Sequence, residues 1–195
     1  LNNINQNLEK AKIYLENDEN KKPPKLDLRD GGTLSNLNID NLDNFLPDLE
    51  KENTVILSES QIDMIKIKSE QFIPEPISAN DIIVLSTNLG RMEFKFYHNE
   101  SPINSLNFKK LCNSQFYDQT LFHYVVPEFI LQGGDILSRN DNPNDDGHGG
   151  PGWIVDADYN NLKHDRGTLS MVRTINDASS AGSQFFISLK KNEIL

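Results

Sequence analysis

Between Thr120 and Asp135 the chain reads TLFHYVVPEFILQGGD, two short runs of β-branched and aromatic residues joined at Pro127-Glu128 and closed by the pair Gly133-Gly134. Pro127 removes a backbone donor and stops the first run, so the two halves predict an antiparallel hairpin. A second stretch, RGTLSMVRTINDASSAGSQFFISL from Arg166 to Leu189, holds two more strand candidates. These are Thr168 to Val172 and Gln184 to Leu189, separated by a loop rich in Ser, Asn and Ala. Upstream, Ile82 to Thr87 and then Met92, Phe94 and Phe96, alternating with charged or polar residues, predict a hairpin with one buried face. Ser101 and Pro102 look like an N-cap and first helical residue, opening a helix with Ser105, Phe108, Leu111 and Cys112 on one side. Many short strands and one early helix indicate a mainly β barrel or sandwich with a helical cap.

The first third has another texture, crowded with Asn, Asp, Glu and Lys. Ile4, Leu8, Ala11 and Leu15 form one stripe of an amphipathic helix ending before Pro23. Leu34 to Leu42 matches part of a leucine-rich repeat once, and a single repeat cannot bury its own face. Thr54 to Leu57, and Ile65 and Ile67 alternating with Lys66 and Lys68, read as one or two strands. The extended joint IPEP, Ile73 to Pro76, precedes a domain boundary placed near Ala79. Residues 1–78 are therefore expected to be a partly helical or disordered extension of unknown function, and 79–195 a folded domain.

A formal charge of -10 over 195 residues argues against nucleic acid and anionic membrane surfaces, which need a basic face to release counterions. Neutral or basic peptides suit it better. Cys112 is the only cysteine and reads as a small buried apolar side chain; no thiolate metal site follows. No apolar run approaches the roughly 18 residues of a membrane span, and the compartment stays open between cytoplasm and periplasm.

FHYVVPEFILQGGD, GHGGPG, LKHDRGTLSM and SAGSQFFISL, in that order and spacing, resemble successive signatures of the cyclophilin family, over about Asp81 to Leu195. The resemblance implies an eight-stranded antiparallel barrel with a capping helix, and a groove on its outside that holds proline-containing peptides or unfolded proteins. It implies peptidyl-prolyl cis-trans isomerisation, with no cofactor and no metal. Carried over by position, Tyr124, Gln132 and Phe186 occupy the catalytic positions. Phe129, Ile130, Phe186 and Leu195 would form the apolar proline pocket, Gln132 and the main chain of Val172 and Arg173 would bond the substrate backbone, and Gln184 and Ile194 would flank the pocket. Strand parity puts Gln184 with Phe186 and Ile130 with Gln132 on one face, with Phe185 and Ile187 on the other.

Three departures bear on function. Tyr124 stands where the family carries an arginine, replacing five fixed donors and a permanent charge with one neutral donor. Ile194 stands where some members have a tryptophan. The chain stops at Leu195, before the family's last strands, and the natural protein is expected to continue.

Two functions follow. One is an isomerase slowed by Tyr124; the other is a non-catalytic proline-peptide-binding module, with the N-terminal arm as a point of attachment for a protein partner. Rival chemistries are weaker. Asn142, Asn144, Asp146 and Gly147 match half of a calcium loop, but Trp153 replaces its closing Glu. Ser183 in AGSQF lacks the second glycine of a nucleophile elbow. His123 and His164 fall inside the family motifs and read as structural.

Overall fold

The computed structural model describes residues 55–174 and 176–191. The helix expected at Ile4 to Leu15, the partial repeat, Ile194 and Leu195 lie outside these residues. Among the described residues there are six strands and two helices: α1 (Glu59–Gln71), β1 (Ile82–Thr87), β2 (Gly90–Lys95), α2 (Pro102–Asn113), β3 (Tyr124–Val126), β4 (Ile130–Gly133), β5 (Leu169–Met171) and β6 (Phe185–Ser188). A 3-10 turn, Ile136–Arg139, follows β4.

β1 and β2 pair antiparallel from Ile82↔Lys95 to Thr87↔Gly90, with Asn88 and Leu89 at the tip. The period-2 pattern is realised as read: Ile83, Leu85, Met92, Phe94 and Phe96 turn inward, while Ile82, Val84 and Ser86 face out. The second sheet has four antiparallel strands in the order β3-β4-β6-β5. Among the described residues no ladder joins the two sheets.

The core lies between the hairpin, α2 and the inner face of this sheet. Ile83, Phe108, Phe185 and Ile187 are all under 9% exposed and form one cluster. Phe185 is its hub, with edge-on ring contacts to Phe108, Tyr117 and Phe122 at 5.5–6.1 Å. Phe185 and Ile187 thus point inward from β6, as strand parity requires.

Ser101 is the N-cap residue of α2 and Pro102 its first residue, but the serine makes no side-chain cap. Asp158, more than fifty residues later, does the work instead: its Oδ2 accepts from Asn104 N (2.8 Å), Asn104 Nδ2 (3.0 Å) and Ser101 Oγ (3.1 Å). A carboxylate at a helix N-terminus also meets the positive end of the helix dipole.

The strand reading of Ile65 and Ile67 is corrected: both lie in α1. A capping box fixes the start of this helix, with Gln61 N donating to Ser58 Oγ and Ser58 N to Gln61 Oε1. The face that packs inward is Ile62, Ile65 and Ser69, spaced three and four apart, so the alternation of Ile with Lys was an accident of helical winding. Val55 to Leu57 form no strand either; Leu57 N makes one main-chain bond, to Arg139 O (2.9 Å). Leu57 and Ile62 are buried against Leu111, Phe116 and Ile136. Around this second cluster Ser114 Oγ donates to Ser69 Oγ (2.8 Å), Lys110 Nζ to Glu70 O (2.8 Å) and Lys109 Nζ to Pro76 O (3.1 Å).

Candidate active site

The outer face of the four-stranded sheet is set by its register. Tyr124 pairs with Gln132, Gln132 with Phe186, and Phe186 with Ser170. Directly opposed residues share a face, so the three expected catalytic side chains stand in one row across β3, β4 and β6. At about 4.8 Å per strand the row from Tyr124 to Phe186 is roughly 10 Å long, the span of a few peptide residues.

Phe186 is half-buried, and the His164 ring lies over it with centroids 5.6 Å apart and planes 29° apart. Ile130, two residues before Gln132, is 9% exposed and pairs with Ser188 and Val126. Phe129 stands in the turn before it, where Phe129 N donates to Val126 O (3.0 Å) and Glu128 takes a left-handed φ of 58°. Leu189 N donates to Phe129 O (2.9 Å), tying this turn to the end of β6. Val172 N donates to Gln184 O (2.9 Å), so this one of the expected backbone groups is already engaged. The Arg173 side chain is exposed.

Gln132 and Gln184 are joined. Gln132 Nε2 donates to Gln184 Oε1 (2.9 Å), and Gln184 Nε2 donates to the carbonyls of Gly147 (2.8 Å) and Gly149 (2.9 Å). With its amide nitrogen directed to Gln184, Gln132 keeps its carbonyl oxygen and its orientation; its Nε2 also lies 3.4 Å from His123 Nε2. The loop that receives Gln184 is itself anchored from below. Asp135 is fully buried; its Oδ1 accepts from Leu137 N (2.8 Å) and its Oδ2 from Gly147 N. Gly149 is needed there, because a Cβ would run into Asp135 Oδ1 and come within 2.8 Å of Leu137 Cγ.

His123, Tyr124, Gln132, Asp146 and Gly147 line a hollow of about 280 Å3, open to solvent, at one end of the row. Burial holds the His123 imidazole below its ordinary value, against an opposing pull from Asp135. Asp146 is pushed up to about 6, first by burial and then by the charges of Asp135 and Asp145. Neither Asp146 nor the stacked His164 was read as functional from sequence. The sequence sets His164 inside a family motif as a structural residue and Asp146 only in a half-matching calcium loop, so it assigns neither to the groove.

An apolar ring, two linked carboxamides and a phenol along one sheet face suit a neutral peptide. Among the described residues no group of three or more His, Cys, Asp or Glu is placed to hold a metal ion. Nor is any described helix long and apolar enough to cross a membrane.

A family model described as cyclophilin type peptidyl-prolyl cis-trans isomerase/CLD matches residues 82–195. A peptidyl-prolyl cis-trans isomerase of Acinetobacter baylyi is 39% identical over 117 residues, covering 60% of this chain and 59% of the relative. Peptidyl-prolyl cis-trans isomerase B of Bacillus subtilis is 39% identical over 100 residues, 50% of this chain and 64% of the relative. Among solved structures, a cyclophilin-type isomerase of Cryptosporidium parvum, crystallised in the presence of the dipeptide Ala-Pro, superposes with a TM-score of 0.50 at 34% identity. It covers 57% of this chain and 70% of that one. The chain spans about three-fifths of the length of the Acinetobacter relative. On the extent of the family match and the agreement of the sheet, this chain belongs to the cyclophilin-type peptidyl-prolyl cis-trans isomerase family.

Proposed function

We propose that the chain catalyses cis–trans isomerisation of X-Pro bonds in peptides and folding proteins, slowly, along the Tyr124–Gln132–Phe186 row. The observation that carries the reading is the register: the three side chains are consecutive cross-strand neighbours, so one peptide laid across β3, β4 and β6 meets all three. The reaction is rotation about an amide whose barrier is about 18–20 kcal/mol, and it needs no nucleophile and no cofactor. Phe186, with Phe129, Ile130 and Leu195, would grip the proline ring. Gln132, held by Gln184, would take the substrate backbone, as would the main chain of Val172 and Arg173, with Ile194 at the rim. Tyr124 would place a neutral donor near the prolyl nitrogen, where pyramidalisation weakens the C–N double bond.

The neighbour crystallised with Ala-Pro supports a proline peptide as ligand. Residues 79–195 are assigned to isomerisation, and the part of the extension from Val55 braces its core. The arm before Val55 is the segment we assign to a protein partner.

A second reading is favoured by Tyr124 itself: a module that binds proline peptides without turning them over. The groove is common to both, and a protease-free X-Pro peptide isomerisation assay separates them. By analogy with a missing oxyanion donor, Tyr124→Arg is expected to raise kcat/KM by on the order of 10²–10³. Phe186→Ala is expected to abolish turnover and weaken peptide binding. Equal rates for Tyr124 and its arginine variant would make the cation immaterial; peptide binding without turnover in both proteins would leave the binding module.

A further inference from the structure

The cavity at the Tyr124 end of the row is lined on one side by side chains of the proposed groove, Tyr124 and Gln132, and on the other by Asp146 and Gly147 of the loop. At about 280 Å3 and open to solvent, it has room for one long side chain of a peptide lying along the row. Among the described residues its charge is one-sided. The carboxylates of its neighbours are occupied: Asp135 accepts from Leu137 N and Gly147 N, and Asp145 from Asn140 Nδ2 (3.0 Å) and Asn142 Nδ2 (3.1 Å). Among the described residues no hydrogen bond or ion pair engages the half-buried carboxylate of Asp146. Burial disfavours the charged form of His123, and the arginine of the family pattern is absent from position 124.

We propose that this cavity receives the cationic side chain, lysine or arginine, of a residue next to the proline in the bound peptide, with Asp146 as its partner and so as a specificity-determining residue. The proposal rests on reading the Tyr124–Gln132–Phe186 row as the prolyl groove. An anionic side chain would meet Asp146 with Asp135 and Asp145 behind it; a metal ion would find one uncommitted carboxylate, too few ligands for a stable site. A peptide cation offsets the burial, and then the charges of Asp135 and Asp145, that hold the Asp146 proton up to about pH 6. The groups facing Asp146 are Asp135 from the end of β4, Asp145 from its own loop, and His123 and Tyr124 at the start of β3.

The test is kcat/KM for peptides carrying Lys, Ala or Glu at each position flanking Pro, with the 195-residue chain, Asp146→Asn and Asp146→Lys. Lys is expected to exceed Ala by roughly five- to tenfold at one flanking position, the range of a partly desolvated ion pair, with Glu below Ala. In Asp146→Asn the Lys/Ala ratio should fall to near one, and in Asp146→Lys the order of Lys and Glu should reverse. The wild-type ratio should grow as pH rises through about 6, as Asp146 ionises. Should turnover be too slow to rank, the same ratios are read from peptide dissociation constants by NMR titration. Turnover or binding of the Ala peptide with a Lys/Ala ratio near one overturns this inference and leaves the groove standing. A ratio that survives in Asp146→Asn overturns it too. No turnover and no binding of any proline peptide overturns the groove itself.

Discussion

Ile62 tests whether the segment before the family-matched region is part of the fold. It is 2% exposed, lies on α1, and packs with Leu57 against Leu111, Phe116 and Ile136. Ile62→Ala removes three carbons from this cluster, about 2.4 kcal/mol at ~0.8 kcal/mol each. A residual void of roughly 50 Å3 would add about 1.2 kcal/mol at ~24 cal/mol per Å3. With partial collapse of the void, the expected loss is about 2–4 kcal/mol. For a chain of this size that lowers Tm by roughly 5–12 °C. Met64, on the same helix, is 69% exposed, and Met64→Ala should stay within about 0.5 kcal/mol. Urea unfolding followed by the fluorescence of Trp153, which packs against the same cluster, reads both variants. An Ile62→Ala midpoint matching that of Met64→Ala would show that α1 contributes nothing to the core, and that the packing argument is wrong.

Two further variants probe the loop under the site. Gly149→Ala should destabilise the protein by at least about 2 kcal/mol and lower kcat/KM, since its Cβ displaces Asp135 and with it the carbonyls that hold Gln184; Gly150→Ala, which meets nothing within 4 Å, should do neither. Asp146 has a raised folded pKa, so as pH climbs from about 4 to 6 the unfolded chain loses this proton first and stability falls, with the full penalty above about pH 6. A shift of about two units corresponds to roughly 2.7 kcal/mol, and exposure of the carboxyl reduces this to about 1 kcal/mol. Asp146→Asn should therefore gain about 1 kcal/mol at pH 7.5 and nothing at pH 3.5 in denaturant unfolding; an equal gain at both would rule out ionisation as the cause.

What could be read from the chain and what could not divides by the range of the forces involved. The hairpin at Ile82 to Lys95 and the runs YVV and ILQG were legible because strand parity is a local property: alternate residues face alternate sides whatever the rest of the molecule does. The same rule placed Phe185 and Ile187 inside. It misled at Ile65 and Ile67, where two isoleucines alternating with lysines satisfied both a strand and a helix, and the deciding signal was the Ser58–Gln61 capping box just upstream. The start of α2 was located correctly but for an incomplete reason. Ser101 marks the position, while the carboxylate that satisfies the helix comes from Asp158, which no window of sequence around Ser101 contains.

The site shows the same division. Gln132 and Gln184 could be named individually, but their bond to each other depends on where the loop of residues 140–150 is held. That placement is fixed by one buried carboxylate, Asp135, reaching twelve residues ahead to Gly147 N. Through it the loop carbonyls orient Gln184, Gln184 orients Gln132, and Asp146 is brought to the cavity beside Tyr124. The consequence is asymmetric. A substitution of Tyr124 changes one donor and leaves the scaffold in place, whereas loss of Asp135 would release the loop, both carboxamides and the acidic wall of the cavity together. The side chain that most controls the geometry of this groove is thus one that never faces it.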